Sequence, residues 1–159
     1  MELQELMNGL AAACGMDGLA ADADGAYRLN FDDMEVSFKS VGSRQFVVWA
    51  EVCELPPEGR ERLYRLLMEA MFLGQATGGA MFSIESKSGK VHLQRIEFLS
   101  ALDVEAFNGL VEKFVNVLEE WRKIVADFRP VAEDLERKTA EESEAGRQAG
   151  MGLGGFMQV

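Results

Sequence analysis

Hydrophobic positions along the chain begin with a helical period. Leu3, Leu6, Met7, Leu10 and Cys14 fall on one side, predicting an amphipathic helix over residues 2–14 that Gly15 ends. Residues 18–25 are small and polar, a loop. The period then drops to two. Tyr27, Leu29 and Phe31 alternate with Arg28 and Asn30; after an Asp32-Asp33 turn, Met34, Val36 and Phe38 repeat the pattern. Residues 41–44 turn the chain into a longer, more apolar strand over 45–55 that carries Phe46, Val48 and Trp49. Links this short join antiparallel neighbours and leave no room for a parallel crossover, so the three strands form a meander.

Pro56-Pro57-Glu58 stops the third strand and suits the first turn of a helix, which runs over 58–73 to Gly74. Residues 81–85 and 90–99 read as two further strands joined by a Ser86-Lys87-Ser88-Gly89 turn. Asp103 is placed to cap a long third helix bearing Phe107, Leu110, Val111, Phe114, Leu118, Trp121 and Val125. The order α-β-β-β-α-β-β-α predicts an α+β fold, a twisted antiparallel sheet packed by helices. The expected division is a folded domain over 1–128 and a tail over 129–159, charged at first and then Gly-rich. That tail still carries Met151, Leu153, Phe156 and Met157, which fit a segment ordering on a partner or on its own domain.

The second helix is apolar on more than one side. Leu63, Leu66, Leu67 and Ala70 form one face, and Tyr64, Met68, Met71 and Phe72 carry apolar surface around it. A helix apolar on two sides is buried on two sides, and a small domain supplies only one cover. A two-fold homodimer is the expected second cover. Nine methionines add side chains suited to adaptable apolar surfaces.

Charge narrows the partners. With 16 basic and 27 acidic residues the chain carries a net charge of -11, which repels phosphate backbones and anionic lipid. Neither nucleic acid nor membrane is an expected partner. The longest uncharged stretch, residues 70–84, is too short and glycine-broken to span a bilayer, and the Met-Glu-Leu-Gln-Glu start lacks the basic and apolar regions of a signal peptide. A cytoplasmic location is expected. Cys14 and Cys53 form no CxxC pair and read as buried free thiols.

Catalytic patterns are weak. His92 is the sole histidine, set on a strand between Val91 and Leu93, and reads as structural. The sequence holds no HExxH, no Gly-x-Ser-x-Gly and no phosphate loop with its lysine. Asp32-Asp33 serves a turn, and Glu119-Glu120 points to different faces of a helix. No enzyme activity, cofactor or metal is expected.

Several signatures in order resemble the class I chaperones of type III secretion, the CesT-like family, over about residues 3–126. An amphipathic helix ending at a glycine leads through an acidic loop into a strand closing on Phe31-Asp32, and Leu55-Pro56 precedes the second helix. Residues 66–72, Leu-Leu-Met-Glu-Ala-Met-Phe, are similar to the family's Leu-Leu-x-Ala-Asn-x-Phe zone, with the asparagine missing. Thr77-Gly78-Gly79-Ala80 matches the step into the fourth strand, and Gly89-x-Val91-x-Leu93 resembles the fifth. Leu102-Asp103 followed by Phe107, Phe114, Glu119 and Trp121-Arg122 resembles the last helix.

The resemblance implies a homodimer that captures the N-terminal region of a secreted effector in extended form, keeps it secretion-competent and presents it to the export ATPase. An extended peptide can pair with a sheet edge and seat alternate side chains in apolar pockets. On that basis the expected effector contacts are Leu3, Leu6, Met7, Leu10, Leu29, Phe31, Met34, Val36 and Phe38, and Leu6→Asp or Val36→Asp should weaken cargo binding with the fold intact. Leu63, Leu67, Met71, Met81 and Ile84 are the expected dimer contacts, and Phe107, Phe114 and Trp121 belong to the core. Two other readings share these features. One is a chaperone-like domain outside secretion, which fold alone does not separate. The other is a small-molecule binder with an enclosed cavity between sheet and third helix.

Overall fold

The computed structural model describes residues 2–128 of the 159-residue chain. The expected tail over 129–159 lies outside the described residues. Helix α1 (Leu3–Ala13) opens with a capping box, in which Glu2 and Glu5 each accept from the other's backbone N–H. A meander follows: β1 (Ala26–Phe31), β2 (Met34–Val41) and β3 (Gln45–Glu54). Helix α2 (Arg60–Ala70) leads into a 3-10 turn at Phe72–Gly74, then β4 (Met81–Glu85) and β5 (Lys90–Phe98). Helix α3 (Val104–Asp127) begins as the sequence suggests, with the Asp103 carboxylate accepting from Ala106 N–H at 2.8 Å.

All five strands pair antiparallel in the order β1-β2-β3-β5-β4. Strand β5 thus lies beside β3, and β4 is left at the edge. Each strand sends alternate side chains to opposite faces. Phe46, Val48, Ala50 and Val52 of β3 lie with Val36 and Phe38 of β2 on the covered face, where α3 packs across β3 and α1 packs on α3. The Phe107 ring meets Phe38 at 5.9 Å and Phe46 at 5.5 Å, an aromatic cluster at the centre of the core.

Two local features hold α1 in place. A Cβ on Gly9 would stand 2.5 Å from Val104 Cγ1, so only glycine allows α1 this close to the start of α3. The Tyr27 hydroxyl donates to Gln4 Oε1 at 2.6 Å, tying the helix to β1. At the far end of α3, Trp121 packs edge-on to Phe82 of β4 at 5.0 Å.

Candidate binding surface

Burial removes most of the expected effector contacts from the surface. Leu6, Met7, Val36 and Phe38 are wholly inaccessible, and Leu3, Leu10, Leu29 and Met34 are nearly so. They are the core between α1, α3 and the sheet, because the helical and alternating patterns that suggested a docking face are satisfied within the subunit. Only Phe31 remains half-buried, at the rim. The expected Leu6→Asp and Val36→Asp phenotype is corrected accordingly: both place a charge in the core.

The expected dimer contacts divide. Leu63 and Leu67 are buried within the subunit, Met71 is half-buried, and Met81 and Ile84 are 44% and 46% exposed. The outer apolar surface of this region is instead Met68, Phe72 and Leu73, at 67%, 76% and 76% exposure. The sequence missed Leu73. Its signal was its place just before Gly74, where a chain leaving a helix turns left-handed.

That turn is built to project. Leu73 sits at φ 58°, a left-handed conformation that costs a non-glycine residue about 1–2 kcal/mol. Gly74, Gly78 and Gly79 continue at positive φ, and Gly79 N–H donates to Gly74 O at 2.9 Å. Two side chains pin the loop from below: Trp121 Nε1 donates to Ala76 O at 2.9 Å, and Arg95 Nη1 donates to Gly78 O at 2.6 Å. Beside it, a groove of about 180 Å³ runs between α2 and β4, lined chiefly by Tyr64, Met68, Met71, Phe82 and Ile84.

A second apolar surface occupies the sheet face that no helix among the described residues covers. Val41, Gln45 and Phe98 are successive cross-strand partners, followed by Lys39, Val47 and Ile96, and then by Ser37, Trp49 and Gln94. Val41, Ile96 and Phe98 are 43%, 44% and 54% exposed, and Val47 and Trp49 are half-buried between them. Toward β4 the face deepens into a hollow of about 420 Å³ whose lining includes Trp49, Ser83, Glu85 and His92.

Reactive groups do not converge on either surface. Neither ring nitrogen of His92 has a hydrogen-bond partner, and Glu85 Oε2 stands 4.0 Å from Nε2. Among the described residues no group of three or more His, Cys, Asp or Glu side chains could hold a metal ion, and no helix is long and apolar enough to cross a membrane. The expectation of two buried thiols is corrected. Cys14 is exposed at the end of α1, and Cys53 is half-buried, its pKa raised by burial and by the nearby Glu51 carboxylate.

An α+β domain whose outstanding surfaces are apolar faces on a projecting loop and an open sheet has the form of a protein-binding module. The chain belongs to the Tir chaperone protein (CesT) family, whose sequence profile matches residues 5–122. No curated protein sequence matches it. Among solved structures, a chain of the ExsC–ExsE complex superposes with a TM-score of 0.66 at 22% identity, covering 83% of this chain and 99% of that one. The HopA1–SchA chaperone–effector complex gives 0.61 at 14% identity, with 74% and 91% covered. The heterodimeric ExoU–SpcU complex from the type III secretion system of Pseudomonas aeruginosa gives 0.58 at 14%, with 74% and 92% covered. The five-stranded antiparallel sheet with its helices is the fold these structures share.

Proposed function

We propose that the chain is a cytoplasmic chaperone that catalyses nothing and holds a segment of a type III secreted effector in extended form until export. The observation that carries this reading is the family match over residues 5–122, which spans nearly the whole folded domain. The similar structures support the cargo class, since they include a chaperone–effector complex and a type III secretion chaperone bound to a fragment of YscM2.

The two apolar surfaces suit two different partners. The projecting loop and α2, with Met68, Phe72, Leu73 and Ile84, fit a second copy of the chain across a two-fold axis, because each subunit would supply both the prong and the groove beside it. The open sheet face fits the cargo, whose apolar side chains would lie on Val41, Val47, Trp49, Ile96 and Phe98. Burial on such a face keeps the cargo from folding or aggregating without any input of nucleotide energy. Handing the cargo to the export ATPase is the step that follows.

Deleting the chain from cells that produce it, then measuring the type III-secreted proteins by mass spectrometry, tests the reading. At least one secreted protein should fall several-fold in the culture medium, with the secretion apparatus itself intact. An unchanged secreted set would sink the proposal.

A further inference from the structure

The uncovered sheet face has a partner of matching chemistry within the same chain. Residues 150–159, Gly-Met-Gly-Leu-Gly-Gly-Phe-Met-Gln-Val, carry no charged side chain in a protein of net charge -11. Glycine stands at 150, 152 and 154, and apolar residues stand at 151 and 153. In an extended chain Met151, Leu153, Met157 and Val159 fall on one side, while Gly150, Gly152 and Gly154 leave the other side bare as far as Phe156. Such a ribbon can lay Met151, Leu153 and Met157 on an apolar face while its glycine side presents mostly backbone to water. Residues two apart along such a ribbon are separated by roughly 6.6 Å, the same repeat that separates Val47 from Trp49 along β3.

We propose that the segment over residues 150–159 docks on the open face of the sheet, over Val41, Val47, Trp49, Ile96 and Phe98, as an internal occupant of that face. The chain is long enough. Phe128 ends the described part on the covered side, near Val52 and Leu63, so the segment must pass around a sheet edge. Twenty or so intervening residues span up to roughly 70 Å when extended, well over the half-circumference of a domain this size.

Tethering makes a weak contact sufficient. Linking two binding groups through a short stretch of chain supplies an effective concentration of about 1 mM. A segment that binds as a free peptide with a Kd of about 0.1 mM is then docked about nine-tenths of the time. Its consequence for cargo rests on the proposed use of the same face: cargo binds the full chain about tenfold more weakly than the chain lacking residues 150–159. The docking itself does not depend on that use.

Trp49 lies on the face and Trp121 in the core, so fluorine NMR of the 5-fluorotryptophan-labelled full chain reads the contact directly. The Trp49 resonance is identified by its loss in Trp49→Phe. Deleting residues 150–159, or combining Leu153→Asp with Met157→Asp in the full chain, should shift that resonance and leave the Trp121 resonance in place. The same changes should raise acrylamide quenching of Trp49 about twofold. A synthetic peptide of residues 150–159 at about 1 mM should return the truncated chain to the full-length spectrum. An unmoved Trp49 resonance in both altered chains overturns the proposal. So does a shift that follows protein dilution equally in full and truncated chains, which would assign the face to a second copy. Because no cargo is present, failure here leaves the chaperone reading untouched, and success does not establish it.

Discussion

Leu73 offers a perturbation with two opposite effects. Within the subunit it is strained at φ 58° and 76% exposed, so nothing in its own fold offsets the conformational cost. Leu73→Gly relieves about 1–2 kcal/mol of left-handed strain. It also adds backbone freedom to the unfolded chain, worth about 0.5–1 kcal/mol, leaving a net stabilisation of about 0–1.5 kcal/mol. In a dimer built on the loop the sign reverses. Fully burying a leucine is worth about 1.5–3 kcal/mol, and with three-quarters of the side chain available the loss is about 1–2 kcal/mol per copy. Two-fold symmetry doubles it, raising the dimer Kd roughly 30-fold to several hundred-fold. Sedimentation equilibrium measures the Kd. Urea unfolding of Phe72→Asp, with and without Leu73→Gly, measures subunit stability in a background held monomeric. An unchanged Kd would remove the loop from the dimer interface, and a destabilised subunit would refute the strain argument.

Leu6→Asp and Val36→Asp should each unfold the domain at room temperature, since a charge at a fully inaccessible site exceeds the few kcal/mol of stability a small domain holds; a native circular dichroism melt for either variant would contradict the core assignment. Trp121→Phe leaves Ala76 O without its donor and should lower stability by about 1–3 kcal/mol in urea unfolding, whereas a wild-type midpoint would show that the bond contributes nothing. Asp22 accepts from the Ala26 N–H and from Arg28, which hold its carboxyl below the usual range. Its contribution is therefore present above the ordinary carboxylate pKa of about 3.9 and is lost as pH falls through the lower folded value. Asp22→Asn should be less stable than the parent at pH 7, with the gap closing toward pH 2; a gap that does not change with pH contradicts that linkage.

Much of the fold was legible because each element satisfies its pattern locally. The alternation over Met34, Val36 and Phe38 and the Asp103 cap both appear as read. Strand order was less so. Which of β4 and β5 neighbours β3 depends on non-local pairing and on how α2 carries the chain to the sheet edge, and no spacing in the sequence encodes that. The candidate surface was the least legible part. An apolar stripe such as Leu3, Leu6, Met7 and Leu10 looks the same whether it meets its own domain or a partner, and here its own domain takes it. The open face was hidden for the converse reason: Val41, Val47, Ile96 and Phe98 are scattered over three strands and form one patch only through cross-strand register. Helix α2 was better read, since Met68 and Phe72 do remain outside after Leu63 and Leu67 are buried.

The measurement closest to the central claim is affinity purification of the full chain from its native cell, with the bound protein identified and its contact segment mapped by limited proteolysis. The account predicts a protein exported by that cell's type III system, protected along a segment near its N-terminus, and released when Ile96→Asp and Phe98→Asp charge the open face. Recovery of the chain with resident cytosolic proteins or small metabolites alone, or cargo retained unchanged by the charged face, would contradict it.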